Sequence, residues 1–442
     1  MILVNLKRAL CVCLFIGSIL TRGQDDDMTP EPAELTGVVL DEVGEPVVGA
    51  HVFVESARPR HGTATGCPSC YPDCGKRAQT NAKGDFNLGK VESGLLYRLV
   101  LVAKGYEAAA MDKVDPVLSP VSCSLWKRSP PEEGQRLINA RVYDAAGQPA
   151  AGALVDVAGA EAINTTTWGG HKRYVQELGV TDQDGVLTMV GTSDLKAALG
   201  ILRCRGYAEQ WIRLVPGQDQ LFVLREGVLV SGQALKDGKP VPGLQVGFAG
   251  ADRSAGEFLR GWNVTTDNDG RFSFPHVTAS KGFVVYSTSK SAAKVGLLAT
   301  RGLTTGPDGT KLDLGKIEVQ LPLHIRGRVV TEDGEAPFPG SRIGLGREQA
   351  WDSQEANLDD EGRFEFDGLG REIVEMYFRG SEYKFSKKNP NRVSGRSIAG
   401  RLNDNLEDFT IVLEAADPGN DRNFDEEQNW NVRETPLRGP KK

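Results

Sequence analysis

Residues 35–54, LTGVVLDEVGEPVVGAHVFV, decide the fold, because three further versions of this stretch follow along the 442-residue chain. The later versions begin at Ile138, Leu229 and His324, and each keeps a glycine and proline turn between two apolar runs. A period of about a hundred residues is typical of tandem domains rather than of one large core. The sequence therefore predicts four copies of one small domain.

A second shared stretch comes after the first in every copy. It reads TNAKGDFNL at residues 80–88, TDQDGVLTM at 181–189, TDNDGRFSF at 266–274 and LDDEGRFEF at 358–366. Aspartate and glycine at its centre are residues that hairpin turns require, and the alternation after them is typical of a strand with one buried face. About seven short strands per copy, and no convincing amphipathic helix, predict an antiparallel β-sandwich. One short helical turn is expected near 193–198.

Turn-rich and polar segments separate the copies and give the predicted boundaries. We expect a signal peptide at 1–23, a linker at 24–33, domains at 34–126, 135–225, 226–320 and 321–415, and a disordered tail at 416–442.

The two shared stretches, together with a later strand that ends in Gly105-Tyr106 or Gly206-Tyr207, resemble the carboxypeptidase regulatory-like domain family. The resemblance covers nearly the whole mature chain and is weakest in the fourth copy. It implies a transthyretin-like (prealbumin-like) sandwich of seven strands that serves as an accessory module of secreted proteins, some with carbohydrate-binding relatives. A motif of this kind indicates a fold and says little about chemistry.

The N-terminus has the features of a secretion signal. Lys7 and Arg8 precede a twelve-residue apolar run, 9–20, which is too short to cross a bilayer and suits a signal sequence. An uncleaved short anchor is the alternative. No later stretch is apolar enough to span a membrane. We therefore expect a secreted or extracytoplasmic protein, in the periplasm, at the cell surface or outside the cell. A formal net charge of −7 argues against nucleic acid as a partner.

The sequence predicts no catalytic residue, no cofactor and no metal centre. A zinc carboxypeptidase needs an H-x-x-E motif, which none of the five histidines begins, and the serine motif G-x-S-x-G is absent. The acidic turns at 182–185, 267–270 and 359–362 resemble the first half of a calcium loop. They lack its flanking helices and its final bidentate glutamate, which favours plain hairpin turns.

Four cysteines belong to the first copy, which predicts disulfides in an oxidising compartment. Cys67, Cys70 and Cys74 lie in an insertion between the two shared stretches, and Cys123 lies in the last strand. Four cysteines allow three pairings, and a metal or redox site is the alternative. Cys204, in the second copy, is expected to be a buried unpaired thiol.

Three tryptophans, Trp168, Trp262 and Trp351, occupy the corresponding loop region of copies two to four. Exposed indoles stack on sugar rings, so these residues are the candidate ligand-binding positions. The alternative is that each one packs on its own sandwich or on a neighbouring domain.

Together these patterns predict a secreted, non-enzymatic array that acts in adhesion, display or cell-envelope scaffolding, with a polysaccharide or an extracellular protein as partner. A carbohydrate-binding accessory protein that uses the loop tryptophans is the alternative function. A sugar binder would expose the three indoles on one side, whereas a passive spacer without a ligand would bury them.

Overall fold

The computed structural model describes residues 31–440, except 61–70, 72, 75, 131, 169, 177, 255–258, 260, 339, 381 and 417–428. Within this part of the chain eight small sheets form four β-sandwiches in tandem, which confirms the predicted all-β architecture. The predicted signal peptide, 1–23, lies outside the described residues.

The first two sandwiches contain seven and eight strands. Domain 1 consists of β1 (Ala33–Leu40), β2 (His51–Pro59), β3 (Arg77–Gln79), β4 (Asp85–Val91), β5 (Leu95–Val102), β6 (Ala109–Val114) and β7 (Val121–Ser124). Domain 2 consists of β8 (Arg136–Tyr143), β9 (Leu154–Ala162), β10 (Thr166–Trp168), β11 (Leu178–Val180), β12 (Val186–Gly191), β13 (Leu195–Arg203), β14 (Gln210–Leu214) and β15 (Asp219–Val223).

The last two sandwiches contain eight strands with one helix, and nine strands. Domain 3 consists of β16 (Val228–Lys236), β17 (Lys239–Pro240), β18 (Gln245–Gly250), β19 (Trp262–Thr265), β20 (Arg271–Val277), β21 (Gly282–Ser287), helix α1 (Ser289–Val295), β22 (Arg301–Thr304) and β23 (Lys311–Glu318). Domain 4 consists of β24 (Leu323–Thr331), β25 (Arg342–Arg347), β26 (Ser353–Asn357), β27 (Arg363–Leu369), β28 (Ile373–Arg379), β29 (Tyr383–Phe385), β30 (Arg392–Ser394), β31 (Ser397–Arg401) and β32 (Leu406–Ala415). Short 3-10 helices cover Pro116–Leu118, His171–Arg173 and Trp430–Glu434.

Every domain has the same strand order around its first strand. In domain 1, β1 pairs antiparallel with β4 and parallel with β7, so that the first and last strands of the domain run in the same direction. The pairs β8–β15, β16–β23 and β24–β32 repeat this parallel contact. The sandwiches are therefore antiparallel in all but one strand pair each, which the sequence pattern did not predict.

The shared glycine and phenylalanine of the two repeated stretches face each other across the sheet. Gly232 on β16 is the register partner of Phe272 on β20, and a Cβ built on this glycine would lie 2.7 Å from the Phe272 ring. Domains 1 and 4 use the same pairing, while domain 2 has Ala140 opposite Leu187. The glycine therefore leaves the space that the aromatic ring fills.

A buried threonine joins the two repeated stretches in the first three domains. The Thr266 hydroxyl donates to the Val241 carbonyl at 2.7 Å and accepts from the Leu244 amide at 2.9 Å. Thr80 and Thr181 make the same two bonds in domains 1 and 2. Domain 4 has a buried Leu358 at this position and lacks the clamp.

The four domains have separate apolar cores, made of residues from Leu35 to Leu125, from Ile138 to Leu224, from Val228 to Val319 and from Leu323 to Leu437. In the described residues the longest α-helix is the seven-residue α1, so none there could cross a membrane. The helical turn expected near 193–198 is wrong, because Leu195, Ala197 and Ala198 are buried residues of strand β13.

The prediction of a disordered tail at 416–442 is wrong for residues 429–438. Leu437 is only 4% exposed and belongs to the core of domain 4. A polar composition predicted disorder, but one apolar side chain and several hydrogen bonds are sufficient to hold this segment on the domain. Residues 417–428 lie outside the described part.

Candidate functional site

A densely hydrogen-bonded polar cluster lies where domain 3 meets domain 4, and we call it the Arg347 joint. It consists of Arg347, Asp352 and Glu372 from domain 4 and of Ser287, Ser289 and Thr300 from domain 3. The Arg347 side chain has no exposed surface. A guanidinium in such a position must have all its charge and donors satisfied by neighbouring groups.

Arg347 uses each of its nitrogens. Nε donates to Glu372 Oε1 at 2.7 Å, and Nη1 donates to the Ser287 carbonyl at 2.7 Å and to Asp352 Oδ2 at 3.1 Å. Nη2 donates to Thr300 Oγ1 at 3.0 Å. One side chain thus holds two carboxylates of its own domain and two acceptors of the preceding domain.

Further bonds cross the same boundary. The Ser289 amide donates to Asp352 Oδ2 at 2.8 Å, and the Tyr286 hydroxyl donates to the Trp351 carbonyl at 2.9 Å. Burial raises the pKa of Tyr286, and the Asp352 carboxylate raises it further, so this phenol remains a donor. Gly368 on β27 has a φ of +74°, and a Cβ there would overlap the Ser289 carbonyl in helix α1.

The other two domain boundaries are packed mainly by apolar side chains. Val100 and Val102 of domain 1 form one cluster with Leu154 and Val180 of domain 2, and Phe53 packs against it. Between domains 2 and 3, Trp211 packs against the core of domain 3. The Thr278 hydroxyl also donates to the Glu209 carbonyl at 2.8 Å. Each of the three boundaries therefore contains direct packing contacts or hydrogen bonds between its two domains.

The three candidate tryptophans lie in three different domains. Trp168 is 41% exposed at the edge of the domain 2 sheet, with its ring lying over Gly159 and perpendicular to the Trp211 ring at 6.0 Å. Trp351 is 55% exposed and lies under the Arg253 guanidinium, 4.9 Å from the ring centre. Both indoles present surface to solvent.

Trp262 has a different environment. It is half-buried and packs on the domain 3 core, with its ring 5.4 Å from Phe248 and 5.9 Å from Phe274. This position favours a packing role. The exposure predicted for a sugar-binding face is thus found at two of the three positions.

The acidic turns use their first carboxylate to close the turn. Asp267 Oδ1 accepts from the Asp269 amide at 3.0 Å and from the Arg271 amide at 2.8 Å. Asn81, Asp182 and Asp359 do the same in the other copies. The geometry is that of Asx turns, which an asparagine serves equally well. Within the described ranges, no group of three His, Cys, Asp or Glu side chains could hold a metal ion.

Two of the four cysteines predicted to form disulfides can be placed in the fold. Cys74 and Cys123 are both buried in the domain 1 core, and Cys123 carries a free thiol. Desolvation raises the pKa of Cys123 to about 11 and that of Cys74 to about 12. Cys67 and Cys70 lie outside the described residues, so pairing within the insertion stays a prediction. Cys204 carries a free thiol and is half-buried rather than fully buried.

The Arg347 joint was missed at the level of sequence, although one signal was present. Strand β25 reads RIGLGR, and alternation places Arg347 in phase with the core residues Ile343 and Leu345. An arginine in the buried phase of a strand indicates a paired charge inside the protein. The partners Asp352 and Glu372 had no comparable signal, because both come after turns.

Comparisons with known proteins give no family. No family model matches the chain, and no curated protein matches it. Among solved structures, the Bacillus anthracis TIE protein is matched at 9% identity and a TM-score of 0.18, over 84% of this chain and 69% of that one. A streptococcal ancillary pilin is matched at 12% identity and 0.22, over 66% and 99%. The minor pilin GBS52 of Streptococcus agalactiae is matched at 10% and 0.24, over 43% and 97%. TM-scores this far below 0.5 support no conclusion about the function of this chain.

Proposed function

We propose that this chain is a secreted, non-enzymatic scaffold whose four β-sandwich domains hold their exposed loops at fixed positions for adhesion or display. The signal-like N-terminus supports an extracytoplasmic location, and the repeat supports a serial arrangement of domains that end near residues 126, 225, 320 and 415. The resemblance to carboxypeptidase regulatory-like domains is consistent with an accessory module and supplies no catalytic motif.

The Arg347 joint is the observation that carries this proposal. Flexible linkers would suffice for domains that act independently, whereas a buried arginine bonded to both domains favours one orientation. The costs of burying charge are offset only when the geometry is kept, so the joint resists bending. Fixed spacing allows several weak sites on one array to engage a surface together.

Small-angle X-ray scattering on the secreted chain tests the scaffold. We expect one compact set of interdomain distances that does not change between low and high salt, because the joint charges are buried. The variant Arg347→Met should broaden the distance distribution, while Arg326→Met, which removes a half-exposed ion pair to Glu365, should leave it unchanged. A wild-type profile typical of freely jointed domains would reject the proposal.

Carbohydrate binding is the second candidate function, and the exposed rings of Trp168 and Trp351 support it. The Arg253 guanidinium lies over the Trp351 ring. The sheet that carries Trp168 also carries an ion pair between Arg213 and Glu161. Apolar ring faces with polar neighbours are the usual components of sugar sites.

A polysaccharide titration monitored by tryptophan fluorescence tests this second function. We expect a saturable shift that Trp168→Ala or Trp351→Ala abolishes. Trp126→Ala is the matched control, because Trp126 is 62% exposed and lies in domain 1, outside the candidate positions. A response that is flat for every polysaccharide, or that Trp126→Ala removes equally, would contradict sugar binding at these residues.

A further inference from the structure

The C-terminal segment 429–438 lies in a groove on domain 4, which we call the tail groove. The segment starts with the 3-10 helix Trp430–Glu434 and then runs extended along the end of strand β31. The Arg401 amide donates to the Thr435 carbonyl at 2.8 Å, and the Leu437 amide donates to the Arg401 carbonyl at 3.0 Å. These bonds have the pattern of an added parallel strand.

The groove is shaped for this close approach. A Cβ on Gly400 would lie 3.0 Å from Leu437 Cα and 2.7 Å from Asn391 Nδ2, so any larger residue would push the segment away. The Leu437 side chain enters the core between the two sheets. The groove therefore provides both a main-chain edge and an apolar pocket.

A buried amide in the groove is satisfied by the segment alone. Asn391 is 2% exposed, and its Nδ2 donates to Thr435 Oγ1 at 3.1 Å and to the Pro436 carbonyl at 3.3 Å. Its Oδ1 accepts from the Arg438 amide at 2.8 Å. When the segment leaves, this amide loses all three protein partners and has to exchange them for water. The groove is thus built for an extended peptide.

Charge adds selectivity for the sequence of that peptide. Arg433 contacts Glu375 at 2.6 Å and Glu348 at 3.4 Å, and Glu434 contacts Arg401 at 2.7 Å. A matching peptide needs a basic residue four positions before its apolar anchor and an acidic residue directly after that basic one.

We propose that the tail groove is a peptide-binding site that takes the C-terminal segment of a second copy of this chain in exchange for its own. Every contact between segment and groove would be the same in the exchanged form, so exchange involves no new surface. The chain's own segment competes at an effective concentration on the order of millimolar. Isolated chains therefore stay monomeric at micromolar concentration, and exchange becomes favourable where copies are crowded.

Two full-length variants with complementary defects test the exchange. Leu437→Asp undocks the tail and leaves the groove open, whereas Asn391→Ala together with Gly400→Val blocks the groove and leaves the tail intact. Each variant alone should be monomeric by light scattering after size-exclusion chromatography. An equimolar mixture at roughly 100 micromolar should contain a one-to-one heterodimer, because here no intact tail competes in cis for the open groove. A mixture that stays entirely monomeric would overturn the second-copy proposal.

A labelled peptide separates groove binding from misfolding. The probe is a fluorescent peptide with the sequence of residues 429–440, NWNVRETPLRGP. It should bind the folded Leu437→Asp chain saturably and the wild-type chain at least tenfold more weakly, since the wild-type groove is occupied in cis. The same peptide with Leu437→Asp should not bind. No binding to a variant whose circular dichroism is that of wild type would overturn the groove itself.

If Leu437→Asp does not fold, the charge-reversal variant Arg433→Glu serves as the second way to undock the tail. Arg433→Glu places a carboxylate against Glu375 without changing the core, and should also free the groove for the peptide. A peptide with the same Arg433→Glu change should bind only after Glu375→Arg restores an opposite charge. Equal binding of both peptides to both grooves would contradict the assigned register.

Discussion

Replacing Arg347 by methionine tests the physical basis of the joint most directly. Methionine keeps most of the side-chain volume and removes the charge and all five donors. Glu372, which is 6% exposed, would then retain only the Thr300 hydroxyl and the Gly370 amide as partners. Breaking a buried ion pair by removing one partner costs about 3–5 kcal/mol, because a charge is left buried.

The expected effect on thermal stability depends on the size of the domain. In a domain of 60–100 residues, each kcal/mol moves the Tm by about 4–8 °C. Arg347→Met should therefore lower the transition that contains domain 4 by about 12–40 °C. Differential scanning calorimetry of the full chain measures this shift, and the transition of domain 1 should stay in place.

Two comparisons make this prediction specific. Arg326→Met removes two exposed ion pairs, to Glu365 at 2.7 Å and to Glu407 at 3.7 Å, and such pairs contribute about 1 kcal/mol or less each. The double variant Arg347→Met/Glu372→Gln removes the charge of Glu372, one of the two carboxylates that lose Arg347, and should recover part of the lost stability. A Tm for Arg347→Met within about 4 °C of that for Arg326→Met would refute the reasoning.

Three further predictions concern the threonine clamp, the α1 contact and a buried thiol. Thr266→Val should destabilise domain 3 by about 1–3 kcal/mol in urea unfolding, while Thr266→Ser keeps both bonds and most of the stability. Gly368→Ala should broaden the interdomain distances measured by scattering, because its φ is positive and the added carbon overlaps Ser289. Cys123, whose pKa is raised to about 11, should resist iodoacetamide at pH 8 in the folded chain and react after unfolding, as mass spectrometry would record. Alkylation of Cys123 in the folded chain would contradict the burial assigned to it.

The repeat predicted the domains because it encodes local geometry. The turn residues, the alternating strands and the Gly232–Phe272 pair all lie within the two shared stretches. Those stretches were therefore sufficient to predict how many domains the chain has and that each is a β-sandwich. The parallel pairing of first and last strands could not be predicted, since it depends on the path of the chain between the sheets. The same holds for Leu437, because a single apolar residue in a polar tail has no periodicity.

The candidate sites were predicted less well than the fold, for a physical reason. The exposure of Trp168 and the half-burial of Trp262 depend on which neighbouring rings reach them, and strand alternation does not show which rings those are. The Arg347 joint is not repeated in the other domains, so comparing copies does not reveal it. Only the strand phase of Arg347 indicated a buried charge.

The joint and the tail groove are linked through one stretch of domain 4. Glu372 holds Arg347 with its side chain, and its carbonyl accepts from the Leu402 amide at 2.9 Å. The preceding residue, Arg401, makes the two main-chain bonds to the tail segment.

Apolar contacts, such as those between domains 1 and 2, are non-directional, whereas hydrogen bonds to a buried guanidinium fix an orientation. A tail bound in the groove, whether from the same chain or from a second copy, is therefore held at a defined angle to domain 3, which is what a scaffold that assembles by tail exchange requires.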